Sequence, residues 1–252
     1  MYRTSGDSEP IILYDYRQGR SGEYPKEFLQ GFRGYIHANG YPGYHKVSDV
    51  TLVGCWAHAR RKYDEALKAL SDPNSITGAA SKEGLDFCNQ LFDLERQFAD
   101  LSFEDRYAKR LSLSKPLLDA YFAWAKHQQH QALPQGYLGK ALTYSLKQQV
   151  KLESFLLDGR LEISNNRGER ALKPFVIGRK NWLFSNTPKG ATASAIIYSL
   201  VETAKENGLI PFEYLTYILE RLPNIDLKDS QQLDQLLPYS QELPESCRTK
   251  KK

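Results

Sequence analysis

The segment from Leu161 to Leu183, LEISNNRGERALKPFVIGRKNWL, sets one carboxylate, Glu169, among Arg167, Arg170, Lys173, Arg179 and Lys180. Asparagine side chains accept hydrogen bonds from the free N–H groups of a first helical turn, so Asn165 and Asn166 are suited to open a helix here. Helical spacing then gathers Arg167, Glu169, Arg170 and Lys173 within two turns. Pro174, which lacks an N–H donor, is expected to end or kink that helix. A hard oxygen ligand ringed by cations suits phosphodiester chemistry. Glu169 would hold a divalent cation against a phosphate while Arg167, Arg170, Arg179 and Lys180 neutralise the flanking backbone. The same pattern also describes a solvated amphipathic helix with ordinary ion pairs.

A second basic run, Arg60, Arg61 and Lys62, follows Cys55-Trp56-Ala57-His58. Cys55 and His58 have the spacing of two zinc ligands, yet no partner pair with suitable spacing occurs elsewhere. The other reading packs Cys55 and Trp56 at a strand end and turns His58, Arg60, Arg61 and Lys62 toward a site, toward DNA phosphates or toward solvent. Tyr35, Tyr41 and Tyr44, around Asn39, either line a site or form half-buried structure. Trp182 either stacks on an exposed base or fills the core.

These residues need a scaffold, and 252 residues with 41% apolar content can supply one. The net charge of +4 and pI near 8.8 are too mild to announce nucleic-acid binding, so clustering has to carry that case. Three scattered cysteines argue against a disulfide framework and fit a reducing cytoplasm. No apolar stretch is long enough to span a bilayer. Short β-rich runs are expected at residues 10–16, 34–38 and 50–55, with a helix starting near Pro25 and another over residues 58–70. From about residue 71 to 135 the periodicity is helical only, and one further helix is expected from Gly139 to Leu157. A helix from Ala191 to Asn207 closes at Gly208 and is read as core through Ile196, Ile197, Leu200 and Val201. Pro211 opens another that stops before Pro223. The sequence beyond is weakly patterned, and its basic end from Arg248 reads as a loose tail.

Three blocks in order, GFRGYIHANGYPGYHKV, VGCWAHARRKYDEAL and LEISNNRGERALKPFVIGRKNWLFS through YSLVETAKENGLIPFEYLTYILERLP, resemble the transposases of the insertion-sequence 66 family. The resemblance implies an α/β fold: a ribonuclease H-like catalytic core of mixed sheet flanked by helices, interrupted by an all-helical insertion, with a helical C-terminal part. It implies core segments at residues 1–70 and 136–207, the insertion at 71–135, a C-terminal helix at 208–222 and a tail at 223–252. It also implies the DDE chemistry of metal-dependent DNA cleavage and transfer. Mg²⁺ would be the cofactor, the element ends and target DNA the partners, and a second copy or a full-length transposase an associate.

The family's last acidic ligand aligns with Glu169, and its second aligns with Asn39, where an amide is a weaker ligand for a hard cation. The first belongs to a strand upstream of Tyr2, so the expectation is an N-terminally truncated, catalytically impaired copy; the alternative is a non-catalytic DNA-binding or transposition-inhibiting remnant. Arg60, Arg61, Lys62, Arg167, Arg170, Lys173, Arg179 and Lys180 are the expected DNA-facing set.

Overall fold

The computed structural model describes residues 1–6, 9–38, 40–72, 74–182 and 185–250, with side chains throughout except at 179–182. Along the chain the elements are β1 (Tyr2–Arg3), β2 (Ile12–Leu13), α1 (Glu23–Phe28), β3 (Gly34–His37), β4 (Val50–Val53), α2 (Trp56–Lys68), α3 (Ile76–Gln97), α4 (Phe103–Lys109), α5 (Lys115–Gln129), α6 (Tyr137–Lys147), α7 (Gln149–Glu153), α8 (Asn166–Trp182), α9 (Pro188–Glu206), α10 (Pro211–Arg221) and α11 (Ser230–Asp234). They divide into two units, one of residues 20–166 and one of residues 1–19 with 167–252. The chain mixes α and β, and helix dominates. Among the described residues the strands form two separate pairs, β1 with β2 antiparallel and β3 with β4 parallel, where a larger mixed sheet was expected.

In the unit of residues 20–166, β3 and β4 pair from Gly34 opposite Val50 to His37 opposite Val53. The chain then turns into α2, which buries Trp56, Ala59, Tyr63 and Ala66 along one face. Residues Gly84, Cys88 and Leu91 of α3 and Leu118, Tyr121 and Phe122 of α5 complete that core. Gly84 is required by close approach, because a Cβ there would lie 2.5 Å from the Tyr63 ring and 2.8 Å from Trp124. The buried hydroxyls are chained: Tyr63 Oη and Tyr121 Oη are 2.9 Å apart, and Tyr121 donates to Ser145 Oγ at 2.7 Å. Burial pushes both phenols up from their ordinary pKa, so they stay neutral donors at any physiological pH.

Between α4 and α5 residues Arg110–Ser114 form a π-helical turn, and it delivers Arg110 into the interior with 0% exposure. A guanidinium carries five N–H groups, and Arg110 makes five hydrogen bonds. Nε and Nη2 donate to the two oxygens of Glu95 at 2.8 and 2.6 Å. Nη1 donates to the carbonyls of Phe155 and Asp158 at 2.9 and 3.0 Å, and Nη2 to that of Leu161 at 2.8 Å. The single helix expected over 139–157 is instead broken at Gln148, into α6, α7 and a 3₁₀ turn over Ser154–Leu157. The break lets the Lys151 and Leu152 carbonyls serve outside the helix, accepting from Gly54 N–H at 2.7 Å and from the Trp56 indole at 2.8 Å.

In the other unit, α9 faces inward with Ala195, Ser199, Glu202, Thr203 and Ala204. Ile196 and Ile197, expected in the core, are 55% and 47% exposed, and Leu200 and Val201 are half-buried. The reason lies in β2, whose backbone needs hydrogen-bond partners on its α9 side. Ile12 N–H donates to Thr203 Oγ1 at 3.0 Å, and that hydroxyl donates back to Ile12 O at 3.1 Å. Tyr14 N–H donates to Ser199 Oγ at 2.8 Å, and the Asn207 amide to Pro10 O at 2.9 Å. Four residues of helix rise about 6 Å and two of strand about 6.6 Å, so side chains at i, i+4 and i+8 can serve alternate strand residues.

Gly208, at φ +69°, closes α9 as expected. Beyond α10 the chain is not loose: Arg248 bridges Leu209, and Thr249 N–H donates to Gly208 O at 2.8 Å.

Two stability measurements check this account. Arg110→Met leaves Glu95 and three carbonyls without their donor and is expected to cost about 3–5 kcal/mol in urea denaturation; a loss below about 1 kcal/mol contradicts it. Thr203→Val keeps the shape and removes the hydroxyl from both Ile12 backbone groups, for an expected loss of about 1–3 kcal/mol.

Candidate nucleic-acid interface

The loop before α8 is held by groups of its own unit. In residues 158–165 Arg110 takes the Asp158 and Leu161 carbonyls. His37, at the end of β3, donates through Nε2 to Glu162 O at 2.7 Å. Trp56 N–H donates to Ile163 O at 3.1 Å, and the Cys55 thiol accepts from Asn165 N–H at 3.3 Å. The Gly-Cys-Trp tract is therefore a clasp on this loop. Its glycine is set by contact, since a Cβ on Gly54 would meet the Leu152 nitrogen and the Lys151 carbonyl carbon at 3.0 Å. Cys55 is wholly buried at the strand end, and among the described residues no third His, Cys, Asp or Glu joins it and His58 as a metal-holding group.

α8 begins at Asn166, so Asn165 and Asn166 do mark its start. Arg167, Arg170 and Lys173 are exposed on its first two turns, and Glu169 is half-buried in the first turn, where a negative charge complements the helix dipole. The helix does not end at Pro174 but continues to Trp182. Packing around the proline within this unit explains its tolerance. Ala171 is buried, Phe175 stacks on Tyr14 with ring centroids 5.4 Å apart, and the Tyr14 hydroxyl donates to the Ala171 carbonyl. Tyr198 closes the aromatic group edge-on, 5.1 Å from Phe175. Arg179 and Lys180 belong to the last turns of α8, but their side chains, like that of Trp182, lie outside the described residues, as does Asn39 entirely.

The Arg60-Arg61-Lys62 run is divided by its helix. Lys62 turns inward, its ammonium 5.1 Å from the centre of the Tyr144 ring. Arg60 and Arg61 are exposed and line an open cleft of about 660 Å³ between α2 and α3, together with Asn89, Phe92, Arg96 and Asn166. Arg60 Nε donates to Asn89 Oδ1 at 2.7 Å, a neutral acceptor that orients the guanidinium without cancelling its charge. Arg61 has no ion pair or hydrogen bond among the described residues. The two carboxylates at the cleft have their own cations, Asp64 with Lys68 at 2.7 Å and Asp93 with Arg96. Asn89, Phe92 and Arg96 were not singled out from the sequence. Their signal is register: positions 89, 92, 93 and 96 repeat the i, i+3, i+4, i+7 spacing of 57, 60, 61 and 64.

These residues do not by themselves fit a divalent ion. Glu169 is a suitable hard donor, but among the described residues no three of His, Cys, Asp or Glu gather as a metal site.

Exposed arginines line the cleft, and exposed cations stand on the first two turns of α8. Residues 1–193 match the transposase IS66 family, and residues 199–239 match the IS66 C-terminal element. The chain belongs to this transposase family. Among its relatives, the uncharacterized protein y4hP of Sinorhizobium fredii is 30% identical over 247 residues, covering 93% of this chain and 44% of the relative. The uncharacterized protein y4jD of the same organism is 29% identical over 244 residues, 93% of this chain and 46% of that protein. The chain thus spans less than half the length of the curated relatives it matches. No solved structure matches it. No helix among the described residues is long and apolar enough to cross a membrane.

The buried imidazole at the clasp gives a pH prediction. Desolvation lowers the His37 pKa below its ordinary value, against the opposing pull of the Glu162 carbonyl. The unfolded chain therefore takes up this proton first, near pH 6.5. The His37 contribution is complete above that pH and declines as pH falls through it. The urea midpoint is expected to drop between about pH 7.5 and 5.5, and His37→Gln to reduce that drop. An unchanged drop in the variant contradicts this assignment.

Proposed function

We propose that this chain is the DNA-engaging part of an insertion-sequence transposase, built on a ribonuclease H-like core, in which Arg60 and Arg61 with Arg167, Arg170 and Lys173 neutralise backbone phosphates. The observation that carries the reading is the cleft in which Arg60 and Arg61 keep uncancelled charge, in a chain of transposase family. The family activity is metal-dependent strand cleavage and transfer, and Glu169 stands at the position of its last acidic ligand. Position 39 holds an amide where the family has a carboxylate, which lowers affinity for Mg²⁺ and impairs cleavage by this chain.

The test is fluorescence anisotropy with labelled duplex DNA, followed by a nicking assay with Mg²⁺. Binding is expected to weaken roughly 100-fold between about 50 and 200 mM salt if about four phosphates are neutralised, with no nicking above background. Arg60→Ala with Arg61→Ala should flatten the salt dependence. Binding without salt dependence contradicts the DNA reading. Nicking that disappears in Glu169→Gln contradicts the impairment.

A further inference from the structure

The cleft between α2 and α3 holds more than a phosphate-binding surface needs. A duplex presents its phosphates outward and covers its bases, so exposed arginines suffice to hold it. This cleft also presents an aromatic ring, Phe92, half-buried against the core, and the side-chain amides of Asn89 and Asn166. Asn89 accepts from Arg60 through Oδ1, which leaves its NH₂ group as a donor with no partner among the described residues. The cleft is open, and its volume of about 660 Å³ lies in the range that holds small ligands. Packed helix axes run only about 8–10 Å apart. A duplex can lie across such a groove but cannot enter it, whereas an unpaired nucleotide can.

We propose that this groove seats a single-stranded segment of DNA, its backbone held by Arg60 and Arg61 and one base stacked on Phe92 with the amides at its edge. The proposal rests on the DNA-binding reading above and narrows it to one strand form at one site. Stacking tolerates any base, because every base has a π face, so the groove favours strand state over sequence. Arg96, paired with Asp93, lies at the same groove and can exchange that carboxylate for a phosphate.

The experiment compares a labelled 20-nucleotide oligothymidine with a duplex of equal length on the full chain. Phe92→Leu keeps apolar volume against the core and removes the ring face. It is expected to weaken single-strand binding roughly 5- to 100-fold while leaving duplex binding unchanged. Arg61→Ala, at an exposed side chain with no partner among the described residues, should weaken both and reduce the single-strand salt slope by about 0.7. Ultraviolet cross-linking of a 5-bromodeoxyuridine-substituted strand should label the α3 peptide that contains Phe92. Equal effects of Phe92→Leu on both DNA forms, no effect on either, or cross-links that avoid α3 overturn the groove proposal. Duplex binding without single-strand binding overturns it and leaves the DNA reading standing, and binding of neither form overturns both.

Discussion

A buried guanidinium organises the larger unit. Arg110 reaches its carboxylate 15 residues back in sequence and its carbonyls 45, 48 and 51 residues ahead. Placing a charge in the interior is costly unless every donor is used, and here each of the five has an acceptor. The cost sets the geometry: the chain from Phe155 to Leu161 must present three carbonyls to one planar group, which leaves the loop that follows little freedom. The clasp of His37, Cys55 and Trp56 on residues 162–165 then completes what Arg110 begins. Asn166, at the cleft, thus follows a loop held by groups of its own unit.

Much of this organisation was legible in the sequence, and the exceptions have physical causes. The strand runs near residues 12, 35 and 52 and the helix after Cys55 were readable because β-branched clusters and 3.6-residue periodicity report burial directly. The inward face of α9 was not, because hydropathy ranks Ser199 and Thr203 below Ile196 and Ile197. That ranking supposes an apolar neighbour, and the neighbour is a strand backbone, which hydroxyl groups satisfy and isoleucines cannot. Pro174 does not end its helix for a related reason. Its local cost is real, but Tyr14 and Phe175 supply contacts that no window of sequence contains.

The site divides in the same way. Arg60 and Arg61 stand out as a run of like charge, yet their neighbour Lys62 turns to Tyr144, because consecutive helical residues point about 100° apart. Asn89, Phe92 and Arg96 lie within a helix that reads as ordinary amphipathic structure. Their place at the cleft depends on a second helix meeting them in matching register, and that pairing is a tertiary fact. Arg110 was the least visible of all, since an arginine between two helices looks like a surface residue until its five acceptors are brought together.

The joint between β2 and α9 works like a vernier, two scales of nearly equal division laid side by side. Each rung advances about 6 Å on the helix and about 6.6 Å on the strand, so the two fall out of step by roughly 0.6 Å per rung. Three rungs, Ser199, Thr203 and Asn207, stay within the tolerance of a hydrogen bond. A fourth or fifth would be stretched beyond it. The extended segment can therefore borrow a helix as its pairing partner only briefly, and any longer run of strand in this position would need another strand beside it.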